Sequence, residues 1–262
     1  MSQPPHYNTN LSKAQGMVAE TIELLDLWEP GMKAAELRDR VHATGALSRQ
    51  TATRINDLVT RGFAQRYLLD GGKAALWLKH LLKAGVSGVA MKQIFLIYTA
   101  RHNPIFRDFV TSTYWRRASN GTRAVSAADT RDFLEKAVSD GRIQPRWAES
   151  MMARVGRYLL GTLEDFQLID ENRDGHRKVR PVTILPETVR YLAHDLHFSG
   201  LSDAEILDSP DWALFGLYPT DVTAELEKEA ARGHLQAQNA GQILRIEWQH
   251  PNMESVLDAI AH

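Results

Sequence analysis

Along most of this chain the apolar residues return every three or four positions, a period that suits an α-helix and not a strand. From Lys13 to Trp28 the stripe is Ala14, Met17, Val18, Leu24, Leu25 and Trp28, with Thr21 in line. Ser12 stands where an N-cap belongs, and Glu29-Pro30-Gly31 ends the segment. The same pattern predicts helices over 33–43, from Ser48 to about Arg61, over 74–83 and 87–99, and from Asn103-Pro104 onward. It resumes over 127–138 and from Pro145, where Trp147, Met151, Val155, Tyr158, Leu159 and Phe166 form the stripe. Further helices are expected over 187–198, 202–207 and 221–231. Strands fit only short stretches. Phe63–Leu69 runs up to the turn Asp70-Gly71-Gly72, and Leu168-Ile169 faces Val179–Ile184 across Asp174-Gly175. A last hairpin of 234–238 and 243–248 is expected to finish the chain, and Tyr114–Thr122 reads as a loop.

The expected fold is therefore mainly α. Four segments follow: a helical, winged-helix-like unit at 1–73, a basic helical connector at 74–125, a second winged-helix-like unit at 126–185, and acidic helices with a hairpin at 186–262. The 262 residues suffice for a large core. No apolar run approaches the ~20 residues of a membrane span. The opening residues lack the basic and apolar regions of a signal peptide, so a cytoplasmic protein is expected. Cysteine is absent, which excludes disulfides, thiol catalysis and cysteine-based zinc sites.

Charge is unevenly distributed. Residues 33–123 carry 16 Lys and Arg against 5 Asp and Glu, whereas 191–262 carry 3 against 12. The net charge of −1 conceals a basic middle suited to a polyanion and an acidic end able to neutralise it.

The order helix, turn, helix, hairpin occurs twice, at about 33–70 and 126–185. A winged helix-turn-helix needs that order: the second helix enters the major groove and the hairpin touches the flanking backbone. On the first candidate recognition helix Arg49, Gln50, Thr53, Arg54 and Arg61 lie off the apolar stripe. On the second, Arg146, Ser150, Arg154 and Arg157 do, and the wing adds Arg173, His176, Arg177, Lys178 and Arg180. Arginine can bond guanine or phosphate in bidentate fashion. Arg116 and Arg117 follow Trp115 in an acid-poor stretch, an arrangement suited to nucleic acid or a protein partner. The remaining tryptophans, Trp28, Trp77, Trp147, Trp212 and Trp248, read as core.

Enzyme signatures fail. Gly71-Gly72-Lys73 lacks the rest of a phosphate-binding loop, and neither a Gly-x-Ser-x-Gly nor a His-Glu-x-x-His occurs. Asp211 follows a proline as in some nucleases, but no acid-x-Lys follows, and it reads as the N-cap of a turn. His194 and His197 read as a surface pair and not as metal ligands. No cofactor, metal or catalytic residue is expected.

Residues 7–28 (YNTNLSKAQGMVAETIELLDLW), 98–110 (YTARHNPIFRDFV), 209–219 (SPDWALFGLYP) and 233–248 (GHLQAQNAGQILRIEW) together resemble the BrxA family of bacteriophage-exclusion (BREX) systems. The resemblance implies a non-enzymatic component of phage defence that binds double-stranded DNA through helix-turn-helix-type domains and works beside other BREX proteins. It supplies no catalytic residues. Weak sequence specificity is expected, because the candidate contacts are mostly arginines that would meet phosphate. The alternative is an adaptor that assembles other BREX subunits without binding DNA.

Overall fold

The structure, a computed structural model, describes residues 6–120, 124–170, 177–180, 182–240 and 243–261. It is mainly helical, with two small antiparallel two-stranded sheets among the described residues. Its contacts gather the chain into two compact units, Met1–Leu76 with Tyr98–Pro181, and Trp77–Ile97 with Val182–His262. Residues 74–125 thus contribute 77–97 to the second unit and 74–76 with 98–125 to the first.

In the first unit a 3-10 turn at Asn10–Ser12 leads into α1 (Val18–Leu27). The helix starts later than its periodicity suggests, so Ser12 is not its N-cap. The cause is Arg66, which is buried and donates to the carbonyls of Ala14 (2.5 Å) and Gln15 (2.7 Å), occupying acceptors that a helix would need. After α2 (Ala34–Thr44), Leu47 turns the chain at φ +54. The next helix, α3 (Ala52–Asp57), therefore opens at Thr51 and not Ser48, with the Thr51 hydroxyl accepting from the Arg54 N–H at 3.2 Å.

Gly62 does not end that helix. The chain continues through a π-helical turn (Leu58–Phe63) into α4 (Ala64–Tyr67). Of the strand expected over Phe63–Leu69, Phe63–Tyr67 is helical and the last two residues are a bend, and no hairpin follows α3 among the described residues. A Cβ at Gly62 would lie 2.5 Å from Met17 Sδ and 2.7 Å from Ala14 Cβ. The glycine serves close approach of two chain segments, not helix termination.

Helices α5 (Lys73–Lys83), α6 (Gly88–His102) and α7 (Pro104–Phe109) follow as the pattern predicts. A second π-helical turn (Val110–Tyr114) carries α7 into α8 (Trp115–Ser119), so helix persists where a loop was expected. Tyr114 is buried, and its hydroxyl donates to the Arg180 carbonyl at 2.6 Å. Then come β1 (Ala124–Val125), α9 (Ala127–Ser139), α10 (Glu149–Asp165) and β2 (Arg177–Lys178). Strand β1 pairs antiparallel with β2, Ala124 opposite Lys178 and Val125 opposite Arg177. Ile169 bridges Val179, so the expected pairing across the turn holds, although residues 182–185 are not strand. Helix α10 begins after Ala148, which leaves Arg146 and Trp147 ahead of it, and Trp147 is half-buried instead of core. Its buried stripe is Met152, Val155, Leu159, Leu160 and Leu163, displaced by one residue from the expected one near its start.

The second unit holds α11 (Pro186–Phe198), α12 (Asp203–Leu207), a 3-10 turn (Trp212–Phe215), α13 (Pro219–Ala231), and β3 (Leu235–Ala240) paired with β4 (Ile243–Trp248). The chain does not finish with that hairpin. Helix α14 (Met253–Ala261) follows and buries Met253, Val256, Leu257 and Ile260. The side chain of Gln93 on α6 joins the unit's two chain segments: it donates to the Thr183 carbonyl and accepts from the Leu185 N–H, each at 2.9 Å. Trp212 is buried and donates to the Ile206 carbonyl at 2.7 Å. Trp28 is also core, whereas Trp77 and Trp248 are half-buried.

Candidate nucleic-acid interface

Charge separates along the boundary between the units. The first holds 24 Lys and Arg against 19 Asp and Glu, net +5; the second holds 7 against 13, net −6. Every candidate residue of the sequence lies in the first unit. Arg173 and His176 fall outside the described residues.

Two helices flank one loop there. Lys13–Met17 is gripped by α3 and α4 through the Arg54 bond to the Lys13 carbonyl (2.6 Å), the Lys13–Asp57 ion pair (3.2 Å) and Arg66. On the α10 side the Asp165 carboxylate accepts from the Gly16 N–H at 3.0 Å. Arg54 is therefore half-buried and already engaged. Gln50 lies in the turn before α3, and Thr53 is exposed on the first turn of α3.

Four more candidate arginines hold acids of the same unit. Arg117 donates to Asp129 at 2.6 Å. Burial alone would raise the Asp129 carboxyl, but hydrogen bonds from Ser126 and Arg117 outweigh it and hold the group below its ordinary range. Arg146 reaches both Glu135 oxygens at 2.6 Å and Glu149 at 2.7 Å, which keeps Glu135 below the usual carboxylate range. Arg177 pairs with Glu164, and Arg180 with Asp170. Arg177 is half-buried as well as paired.

Six candidate cations remain exposed and, among the described residues, make no ion pair: Arg49, Arg61, Arg116, Arg154, Arg157 and Lys178. Arg154 and Arg157 stand on the first half of α10, and Lys178 on β2.

The sequence missed several structural roles in this unit. Tyr7 donates to Asp108 at 2.8 Å, the Arg142 guanidinium lies 4.2 Å over its ring, and its N–H donates to the Arg142 carbonyl at 2.8 Å. The opening tyrosine thus ties the start of the chain to the end of α9. Arg66 is indistinguishable in sequence from its surface neighbours, because its partners, the carbonyls of Ala14, Gln15 and Gly16, lie about fifty residues away.

The second unit corrects the histidine pair. His194 is fully buried, its Nδ1 lies 2.8 Å from the Arg190 carbonyl, and burial pushes its pKa down to about 4. His197 stacks on Trp248 at 4.3 Å, and His250 lies 5.2 Å from the His194 ring. No group of three or more potential ligands is placed to hold a metal among the described residues. No helix among them is long and apolar enough to cross a membrane.

No curated protein matches the chain. A solved structure described as an uncharacterized protein from Magnetospirillum magneticum is similar in fold, with a TM-score of 0.59 at 14% identity over 74% of this chain and 95% of that one. The family model described as BrxA matches residues 5–195.

Proposed function

The chain belongs to the BrxA family, which points to a BREX phage-defence component, and from that premise we propose that it binds double-stranded DNA through its first unit. The observation that carries this is the order β1, α9, α10, β2 with β1 paired to β2, which leaves Arg154, Arg157 and Lys178 exposed on the second helix and the adjoining strand. That order suits a winged helix whose second helix enters the major groove and whose strand edge meets phosphate. Arg49 and Arg61 beside α3, and Arg116 on α8, extend the same cationic set. The six cations would contact phosphate more than base edges, so discrimination between sequences is expected to be weak.

The test is a gel-shift titration with duplex DNA across a salt series. Six phosphate contacts give a log–log slope of about −5. A flat response, or no shift at micromolar protein, removes the DNA reading.

One observation favours a second reading, an adaptor for other BREX subunits. Arg117, Arg146, Arg177 and Arg180 are already satisfied by acids within the unit. An adaptor would leave the salt series flat while retaining its protein contacts.

A further inference from the structure

A groove of about 660 Å³ runs between α9 and α10 on the first unit. Its floor is Met152 and Leu160, both buried, and its walls include Ala128 and Ala153, both exposed. The small alanines leave the trough open where larger side chains would close it. The polar group at its base, the Thr130 hydroxyl, is already satisfied, since it donates to the Ala127 carbonyl at 2.9 Å. The floor therefore offers contact to apolar atoms and nothing to a sugar or a phosphate.

The rims are different. Arg131 on α9 and Arg157 on α10 both line the groove and are exposed. Neither has an ion-pair partner among the described residues. Glu149 also lines the groove, but Arg146 holds it at 2.7 Å. Asp129 behind α9 is held by Arg117. Glu149 and Asp129 are thus engaged by other arginines, which leaves Arg131 and Arg157 as the cations of the groove's rims without an ion pair among the described residues.

We propose that this groove docks an acidic peptide segment of a partner protein, one that lays apolar side chains on Met152 and Leu160 and sets carboxylates against Arg131 and Arg157. Charge complementarity selects the occupant: an apolar trough rimmed by cations fits a strip of apolar residues flanked by acids. Duplex DNA would satisfy the rims and leave the floor unused. The inference does not depend on the DNA reading, although Arg157 belongs to both surfaces, so that a docked segment and DNA compete for it.

The experiment is selection of a random short-peptide display library on the full chain. Enriched peptides are expected to combine apolar residues with at least two carboxylates. Ala128→Trp, which fills the trough from an exposed position, and Arg131→Glu, which reverses one rim, are each expected to weaken those peptides about tenfold or more at unchanged Tm. Arg131→Glu carries the test if Ala128→Trp does not fold. Absence of enrichment overturns the proposal, as do peptides without carboxylates or peptides indifferent to both substitutions. If Ala128→Trp instead weakens duplex DNA while peptides do not bind, the groove belongs to nucleic acid and the proposal is likewise overturned.

Discussion

The glycines of the first unit show how one atom decides between packing and propensity. At Gly62 a methyl group would strike Met17 and Ala14 at under 3 Å, whereas at Gly161 it would meet only the far end of Gln15, at 3.1 Å. Alanine favours a helix by about 1 kcal/mol over glycine at either place. Gly62→Ala is therefore expected to lose about 1–3 kcal/mol through overpacking, and Gly161→Ala to be neutral or to gain up to about 1 kcal/mol. Urea unfolding of the two variants checks the contrast, and equal effects would refute it. His194 gives a second test at this scale. Its pKa falls to about 4 in the folded protein against an ordinary value of 6.5, so the unfolded chain takes up the proton first. Stability is complete above about pH 6.5 and declines between there and pH 4, by about 3 kcal/mol from this group. His194→Leu should flatten the fall of Tm over that window. An unchanged slope in the variant would mean that His194 is not the group responsible.

Among the helices, what the sequence displayed depended on how locally each was determined. Helices α5, α6, α7 and α11 were legible because apolar spacing is a local signal, as is the proline that opens α7 and α11. The hairpin β3–β4 was legible for the same reason. The missed features all have distant causes. Gly62 reads as a breaker until Met17 and Ala14 are seen against it, and the late start of α1 depends on Arg66, about fifty residues away. Just ahead of α8, buried Tyr114 is bonded to the carbonyl of Arg180, far along the chain. At the candidate interface, charge was legible but pairing was not: nothing local distinguishes Arg146, engaged by two glutamates, from exposed Arg154 and Arg157. That difference is measurable. Arg154→Ala and Arg157→Ala should each shorten the salt slope of DNA binding by about one unit. Arg146→Ala should leave it unchanged, and a loss equal to that of Arg157→Ala would show Arg146 released to the DNA.

At the scale of the whole molecule, the discontinuous second unit governs how the protein can be divided. Cutting at residue 186, where the sequence places a boundary, takes from the second unit both 77–97, which carries most of α6, and the 182–185 segment to which Gln93 is bonded. A fragment of 186–262 alone is expected to lack the cooperative unfolding transition of the full chain, read by circular dichroism on heating. Cooperative melting of that fragment would show that 77–97 is dispensable to it.

The same interleaving imposes an order on synthesis. Residues 77–97 leave the ribosome long before 182–262, their partners in the second unit, because the 84 residues of Tyr98–Pro181 intervene. At roughly 5–20 residues per second that interval lasts on the order of 4–17 s. Throughout it Ile94, Phe95, Leu96 and Ile97, all buried in the finished protein, wait on a nascent chain. The first unit has all of its chain only when this interval closes, and the second must be held open until 182–262 follow. The newly made protein thus has a window of exposure to chaperones and proteases that a full-length chain refolding from denaturant does not share.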